Sequence, residues 1–258
     1  SDSNGIQTRA VLEGDHYVLN GTKCWITNGG TADIFTLIAV TDPTIKGGKG
    51  KSAFILEKDT PGLTGGKREY MMGFGNSYVC EFALNNVKIP KENLLGQEGD
   101  GMKIALGGLE GGRVTVAGEA VGNAQGLLTE AKLFVNKTKA GGKYLAEYQH
   151  VQFKLAEMQA AVDAARLLLY KSAWQIDAGE PCNRESAIAK YYCSKVANDI
   201  AKDVVQLFGQ FGYTDKYRVE CFMRDAKLLE IFEGTSEVQK IVISREMGLK
   251  TRGDKKKK

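Results

Sequence analysis

The amino-acid sequence predicts an α+β protein, in which a small antiparallel β barrel or sandwich is followed by an up-down helical bundle of the four-helix type. Before about residue 97, short runs of β-forming residues alternate with turn residues, and no helical run separates them. After Gly101, apolar residues recur every three or four positions, which is typical of helices with one buried face. We therefore predict a β domain at residues 1–97, a C-terminal helical domain at residues 98–250 and a disordered basic tail at residues 251–258.

The β domain contains six runs that we interpret as strands. The turn Glu13-Gly14-Asp15 separates the first two and predicts a β-hairpin. Gly47, Gly48 and Gly50 lie among lysines and predict a flexible, exposed loop. The predicted strands are TRAVLE (8–13), HYVLNG (16–21), KCWIT (23–27), DIFTLIAV (33–40), KSAFILE (51–57) and YVCEFALNNVKI (78–89).

The helical domain is predicted to contain five helices, joined by loops short enough for an up-down bundle. Asn183 is a candidate N-cap for the third helix, which ends near Phe208. The second helix is the clearest, because it holds on one side Val151, Leu155, Met158, Val162, Ala165 and Leu169. The predicted helices lie at residues 101–137, 144–178, 183–208, 217–231 and 235–247.

Composition and charge argue against several classes of protein. The formal net charge of +4 includes the four terminal lysines, Lys255–Lys258, so the rest of the chain is near neutral and offers no electrostatic footprint for nucleic acid or a membrane surface. No apolar run approaches the roughly 20 residues that span a bilayer. Five cysteines without a C-x-x-C pair, together with only two histidines, predict neither a metal site nor a disulfide scaffold and favour a reducing compartment.

The most informative segment is MRDAKLLEIFEGTSEVQ (223–239), because it places a carboxylate, Glu233, where one helix ends and another begins. The preceding apolar residues are spaced for a buried helix face, and Gly234 can end that helix in a left-handed conformation. The carboxylate of Glu233 then either faces a cavity at this corner or lies in ordinary solvent. The apolar residues are Phe222, Met223, Ala226, Leu229 and Phe232, and the next helix has Thr235 or Ser236 as its cap and Glu237 in its first turn.

Together these residues resemble the acyl-CoA dehydrogenase family over essentially the whole chain. Members carry a further N-terminal helical domain, and Ser1-Asp2 resembles the end of the motif that follows it. The resemblance implies FAD-dependent α,β-dehydrogenation of a fatty acyl-CoA, in which a base removes the proton next to the thioester and the β-carbon delivers a hydride to the flavin. The segments that carry it, in the family's order, are KCWITNGG (23–30), LEGGR (109–113), VQFKLAEMQAAVDAARLLLYKSAW (151–174), QLFGQFGY (206–213) and MRDAKLLEIFEGTSEVQ (223–239).

The resemblance also implies roles for single residues. Glu233 matches the base of the straight-chain enzymes, its backbone N–H matches a donor to the thioester oxygen, and Phe232 makes the pocket wall more apolar. Some branched-chain members place the base near residue 110, and here Glu110 and Arg113 are expected either on the substrate side or on a plain helix surface. The other expected substrate contacts are Ser1, Ser77 and Gly234, and the expected FAD contacts are Trp25, Thr27, Gln206, Gly209, Thr235 and Glu237, with no metal.

Simpler interpretations of the same residues stay open at this point. Trp25 and Thr27 suit a core-edge pair on a strand, and Ser77 suits a turn. Thr235 and Glu237 suit a helix cap, which is compatible with anion binding at a helix N-terminus.

Four positions depart from the family pattern. Thr138 and Gly141 stand where the family has the arginine and phenylalanine of Arg-x-x-Phe-Gly, which reach the FAD of a neighbouring subunit. Gln210 replaces the second glycine of QxxGGxGY, and Gly75 replaces a common arginine. Two hypotheses follow. One is a short-chain acyl-CoA dehydrogenase, present as a fragment or as one chain of a split enzyme, and the other is a structural or assembly subunit that binds FAD weakly or not at all.

The resemblance further implies partners and a compartment. The expected partners are an acyl-CoA substrate, an electron-transferring flavoprotein as electron acceptor, and sister subunits in a homodimer or homotetramer. The expected compartment is the mitochondrial matrix or the bacterial cytoplasm.

Overall fold

The computed structural model describes residues 5–249 and divides the chain into two compact units, Ser1–Gly108 and Leu109–Lys258. The first unit is built mainly from strands and the second from helices. Ser1 and the predicted tail at residues 251–258 lie outside the described residues.

The described part of the first unit contains one sheet of seven strands. In chain order they are β1 (Arg9–Glu13), β2 (His16–Thr27), β3 (Ile34–Val40), β4 (Lys51–Glu57), β5 (Leu63–Arg68), β6 (Val79–Pro90) and β7 (Leu94–Leu95). Their spatial order is β5-β6-β2-β1-β3-β4-β7. The predicted hairpin is confirmed, because Glu13 pairs with His16 across the two-residue turn Gly14-Asp15. Neighbours are antiparallel except β1 and β3, which pair in parallel at Arg9 and Val40, so the predicted antiparallel sheet is mixed at that point.

The sheet curls around a single apolar core. Two strands lie between β2 and β4, and a flat sheet would hold these two about 14 Å apart. Instead the ring centroids of Tyr17 and Phe54 are 4.8 Å apart, and those of Phe35 on β3 and Phe82 on β6 are 5.3 Å apart. The buried members of this core are Ala10, Tyr17, Leu19, Phe35, Leu37, Ala39, Phe54, Leu56, Phe82, Leu84, Val87 and Ile89.

Three parts of the first unit differ from the prediction. β2 runs through Gly21 as one strand, because bulges absorb the irregular pairing that the sequence pattern breaks into two runs. The pattern does not predict β5, which is rich in glycine and lysine, or β7, which has two residues. Gly50 is buried in the 3₁₀ turn Gly48–Gly50, where a Cβ would lie 2.4 Å from the carbonyl oxygen of Asp42, so the predicted exposed loop is wrong there.

The helices are α1 (Gly101–Lys137), α2 (Gln149–Asp177), α3 (Asn183–Phe208), α4 (Val219–Leu228) and α5 (Ser236–Glu246). α2 begins five residues later than predicted, because the preceding chain forms a small hairpin of β8 (Lys139–Ala140) and β9 (Lys143–Tyr144). Asn183 is the first residue of α3, and the N-cap is Cys182. The fourth helix, predicted at residues 217–231, ends at Leu228, and Met223 is 42% exposed rather than buried.

Helix α3 is the centre of the second unit. It packs against α2, α4 and α5, and twelve of its residues are buried. Phe208 at its end stacks on Phe134 of α1 with ring centroids 3.9 Å apart. None of the helices within residues 5–249 is both long and apolar enough to cross a membrane.

Phe54 gives a direct test of the core of the first unit. Its side chain is fully buried, whereas Ile55, the next residue of β4, is 38% exposed on the opposite face. Phe54→Ala should lower the free energy of unfolding by about 3–5 kcal/mol, because the cavity adds to the lost burial. Ile55→Ala, the matched control, should cost less than about 1 kcal/mol. Urea denaturation measures both, and equal losses would contradict the single curled core.

Candidate active site

The predicted corner after α4 is formed by two consecutive residues in left-handed conformations. Glu233 has φ 50° and Gly234 has φ 85°. Glycine adopts this region freely, but for a glutamate it is uncommon and is held only where surrounding contacts impose it. The prediction that Gly234 turns the chain is confirmed, and the turn includes Glu233 itself.

Two buried side chains hold this corner through its carbonyl groups. The Nζ of Lys190 on α3 donates to the carbonyl oxygen of Gly234 at 2.8 Å. The Nε2 of Gln239 on α5 donates to the carbonyl oxygens of Glu233 at 3.1 Å and Gly234 at 2.9 Å. Lys190 and Gln239 are both fully buried, so these bonds are shielded from water.

The carboxylate of Glu233 lies against helix α1 at a glycine. Its Oε2 is buried, and no group within residues 5–249 makes a hydrogen bond to it. A Cβ on Gly112 would lie 3.0 Å from Oε2, so the absence of a side chain there leaves room for the carboxylate. The predicted alternative of ordinary solvent is therefore wrong for this oxygen, although the residue as a whole is partly exposed.

A buried cation of α1, Arg113, lies near this carboxylate. Arg113 on α1 is only 7% exposed, and its Nη1 donates to Oδ1 of Asn183 at 2.7 Å. Burial lowers the pKa of Arg113, while the negative charges of Glu110 and Glu233 oppose that shift. Glu110 is anchored as well, because its Oε1 accepts a hydrogen bond from the backbone N–H of Cys182 at 3.0 Å. Arg113 thus lies within the electrostatic reach of both predicted carboxylates.

Lys190 is a site residue that the sequence reasoning missed. Burial lowers the pKa of Lys190 to about 8, and the charges of Glu230, Glu233 and Glu237 oppose this shift. Lys190 lies four residues after Ser186 and four residues before Ser194, and both serines are buried. The sequence signal for the burial of Lys190 is therefore the helical period, which places this lysine on the buried face of α3.

The first turn of α5 carries the predicted cap. Oγ1 of Thr235 accepts from the backbone N–H of Val238 at 3.3 Å, which confirms Thr235 as the N-cap. A hydrogen bond from its own backbone and one from Thr235 lower the pKa of the exposed Glu237. Beside them is an open groove of about 370 Å³, whose lining includes Lys195, Lys227 and Lys240 and the carboxylates that pair with them, Asp199, Glu230 and Glu237. These charges balance, so the helix N-terminus is the feature that favours an anionic ligand there.

In the first unit, the side chain of Trp25, a predicted FAD contact, is exposed to solvent. Trp25 lies in the bulge of β2 with φ 59°, and its side chain is 66% exposed. Thr27, also exposed, pairs with Val79 of β6, and Ser77 precedes Val79 by two residues. The alternative of a buried core-edge pair is therefore wrong, and the structure brings Trp25, Thr27 and Ser77 to the same end of two neighbouring strands.

The loop that contains Ser77 is fixed from β5. Nη2 of Arg68 donates to the carbonyl oxygen of Gly75 at 2.6 Å, and its guanidinium lies over the rings of Tyr70 and Tyr78. An arginine therefore reaches this loop even though Gly75 stands at the position where the sequence pattern expects one.

The positions that depart from the family pattern lie in two short structures of the second unit. Thr138 leads into the hairpin of β8 and β9, whose turn is made by Gly141 and Gly142 with φ 56° and 84°. These angles suit a type I′ turn, which explains the glycines without reference to a cofactor. The remaining predicted contacts, Gln206 and Gly209, lie exposed at the end of α3 beside the exposed Gln210.

The described residues bring the predicted substrate and base positions of the second unit together. Glu110, Arg113, Phe232, Glu233 and Gly234 lie on α1 and on the corner that packs beside it. Ser1 is outside the described residues. Trp25, Thr27 and Ser77 form their own group in the first unit.

Comparison with known proteins covers both units. The family model described as "Acyl-CoA dehydrogenase, C-terminal domain" matches residues 99–248, and "Acyl-CoA dehydrogenase, middle domain" matches residues 1–87. The curated "Acyl-CoA dehydrogenase, short-chain specific" of Clostridium acetobutylicum is 48% identical over 244 residues, which are 95% of this chain and 64% of that protein.

Solved structures agree with this comparison. Butyryl-CoA dehydrogenase from Megasphaera elsdenii has a TM-score of 0.94 at 44% identity, over 96% of this chain and 65% of that one. A chain from the structure of the electron transferring flavoprotein of Acidaminococcus fermentans has a TM-score of 0.93 at 44% identity, over 95% of this chain and 64% of that one. The α+β fold class is confirmed, and the chain spans less than two thirds of the length of these relatives.

The contact between Gly112 and Glu233 can be tested with its neighbour as a control. A Cβ on Gly111 would meet nothing within 4 Å, whereas one on Gly112 would press on the carboxylate. Gly111→Ala should stabilise the protein by about 0.5–1 kcal/mol through the better helix propensity of alanine. Gly112→Ala should gain less, because Glu233 must move by a few tenths of an ångström.

Urea unfolding and crystal structures of the two variants measure these effects. Equal stabilisation, with the Glu233 carboxylate unmoved in both, would show that Gly112 does not make room for it.

Proposed function

This chain belongs to the acyl-CoA dehydrogenase family, and we propose that it performs FAD-dependent α,β-dehydrogenation of a short-chain acyl-CoA thioester, with Glu233 as the base that removes the α-proton. The activity is proposed for the whole protein, and the chain described here forms two structural units. The relatives named as short-chain specific and as butyryl-CoA dehydrogenase support a short acyl group.

One observation carries the proposal, namely the Glu233 carboxylate with a buried oxygen that has no hydrogen-bond partner among the described residues. A base that removes a proton next to a carbonyl must keep an oxygen lone pair unengaged and poorly hydrated. The left-handed corner directs Glu233 towards α1, and Gly112 leaves room for it there. A carboxylate that was merely structural would be expected to accept hydrogen bonds at both oxygens.

The proposed dehydrogenation also requires hydrogen-bond donors to the thioester oxygen of the substrate. We propose the backbone N–H of Glu233 as one such donor, worth about 3–4 kcal/mol in the transition state. Phe232 is proposed as an apolar wall beside the base, with Gly234 next to it. Glu110, Arg113 and Ser77 are proposed as contacts to the acyl-CoA, and Arg113 supplies a buried positive charge for that role.

FAD is the proposed cofactor, and when bound it accepts the hydride from the β-carbon. The exposed ring of Trp25 beside the exposed hydroxyl of Thr27 fits a planar aromatic group such as a flavin. The N-terminus of α5, with Thr235 and Glu237, fits an anionic part of a dinucleotide. Gln206 and Gly209 are proposed as further contacts.

The hairpin at Thr138 and Gly141 is the observation that favours the second candidate, a subunit without activity. It presents neither a guanidinium nor an aromatic ring at these two positions, although the cation of Lys139 lies 4.6 Å from the ring centroid of Tyr144. A family-derived structural or assembly subunit with weak or no FAD binding is therefore the competing outcome.

Sister subunits and an electron-transferring flavoprotein are the proposed partners. Helix α2 exposes five large apolar side chains, which an interface between copies would bury; they are Phe153, Leu167, Tyr170, Trp174 and Ile176. The similarity to a chain in the structure of an electron transferring flavoprotein supports such a protein as the electron acceptor.

Flavin absorbance and its bleaching test the proposal. The purified chain, reconstituted with FAD if it is colourless, should show a flavin spectrum that butyryl-CoA bleaches. Glu233→Gln should keep the flavin but slow bleaching about 10²–10⁴-fold, because the amide cannot take the proton. Glu157→Gln, an exposed carboxylate on α2, is the control and should bleach at the normal rate.

Two results would overturn the proposal. A chain that cannot be loaded with FAD supports the inactive subunit instead. A loaded Glu233→Gln variant that bleaches at the normal rate removes Glu233 as the base.

A further inference from the structure

We propose that Lys190 is the positioning residue of this site: its buried ammonium group holds the left-handed corner in place and brings a positive charge close to the Glu233 carboxylate. The inference rests on the proposed function for the meaning of Glu233 as a base. The geometry on which it depends is independent of any activity.

The first line of evidence is a row of donors on α3. Three polar side chains at i, i+4 and i+8 each donate to a backbone carbonyl group, from Ala226 in the last turn of α4 to Gly234 at the corner before α5. Because residues four apart share one face of a helix, the row forms a continuous strip. The bonds are Lys190 Nζ to Gly234 at 2.8 Å, Ser194 Oγ to Leu229 at 2.8 Å and Asn198 Nδ2 to Ala226 at 2.7 Å.

Lys190 differs from the other two members of this row in charge. A neutral donor is sufficient to satisfy a carbonyl group, and Ser194 and Asn198 do so. Burying an ammonium group costs free energy that a hydroxyl or an amide does not cost. The charge of Lys190 therefore has a role that a neutral donor at this position would not have.

The charge of Lys190 acts on the carboxylates around the corner. Glu230 and Glu233 face it from the corner and Glu237 from α5, whereas the like charge of Arg113 faces it from α1. The hydrogen bond of its ammonium group goes to the carbonyl oxygen of Gly234, so the attraction to Glu233 acts through space in a poorly hydrated region. Glu119 on α1 adds a like charge near Glu233.

The protonation of Lys190 gives the proposal a pH signature. Burial brings the pKa of Lys190 to about 8, below the 10.5 of a lysine in the unfolded chain. Between these two values the folded state binds fewer protons than the unfolded state, so the contribution of Lys190 to stability rises with pH across that window. Over the same window the charge is lost, while the neutral amine can still donate to Gly234.

The test measures the mutual effect of the two charges. Lysine side chains labelled with ¹³C at Cε are titrated by NMR, and the Lys190 signal is assigned by its loss in Lys190→Met or, if that variant does not fold, in Lys190→Arg. Glu233→Gln should lower the titration midpoint of Lys190 by about 0.5 pH unit or more, roughly a threefold change in proton affinity. Glu157→Gln should leave the midpoint unchanged. A midpoint that Glu233→Gln does not move overturns the inference.

Kinetics on the FAD-loaded protein supply a second measurement. In Lys190→Met the maximal rate of flavin bleaching should fall, because the base loses its fixed position, while the apparent KM for butyryl-CoA stays constant. Lys202→Met, an exposed lysine of the same helix, is the control and should change neither.

The outcomes separate this inference from the proposed function. Normal bleaching by Glu233→Gln would reject Glu233 as the base and leave the charge coupling measurable by NMR. Loss of bleaching in Glu233→Gln without any coupling to Lys190 would keep the proposed function and reject the role of Lys190. An unchanged maximal rate of bleaching in Lys190→Met would reject it as well.

Discussion

The second unit depends on a charge that has been taken out of water. Lys190 is fully buried, and its ammonium group ends on the carbonyl oxygen of Gly234. Two neutral donors on the same face of α3, Ser194 and Asn198, bind the carbonyl groups of Leu229 and of Ala226 in the last turn of α4. Helix α3 also packs against α2, and twelve of its own residues are buried. The position of Glu233 is thus set by a helix core and not by a flexible loop.

Each unit has a candidate site residue with a strained backbone. Among the described residues, positive φ angles outside glycine occur at Trp25, Asn28, Phe74, Asn86 and Glu233. Asparagine tolerates this region, whereas tryptophan, phenylalanine and glutamate do not adopt it without compensation. Trp25 and Glu233 are the residues that the family resemblance connects with the flavin and with the base. The strain has the same consequence in each case, because it turns a side chain away from the path that a regular strand or helix would give it.

Sequence patterns were sufficient where local chemistry decides the structure. The Gly14-Asp15 hairpin, the Thr235 cap and the turn at Gly234 follow from residue type at a single position, and all three are observed. The long helices also follow, since their apolar spacing persists over many turns. β5 lacked such a signal because its glycines and lysines are stabilised by pairing with β6, which is a non-local contact.

The candidate site was predictable in its residues but not in its electrostatics. Glu233 and Arg113 were identified from their positions in motifs, while the role of Gly112 follows only from the structure, because a Cβ there would lie 3.0 Å from the carboxylate. The period of α3 places Lys190 on the buried face, but the charges around it come from α1, from the corner and from α5, which are non-local contacts. Met223 lies within α4 but is 42% exposed, so the apolar spacing alone did not predict which of these side chains faces the core.

Amide hydrogen exchange tests most directly the claim that Lys190 fixes the Glu233 corner. In Lys190→Met, the amides of residues 231–239 should exchange about tenfold faster than in the unmodified protein, whereas the amides of α2 and of the sheet should keep their rates. Exchange at residues 231–239 that is unchanged by Lys190→Met, in a variant that stays folded, would contradict the account.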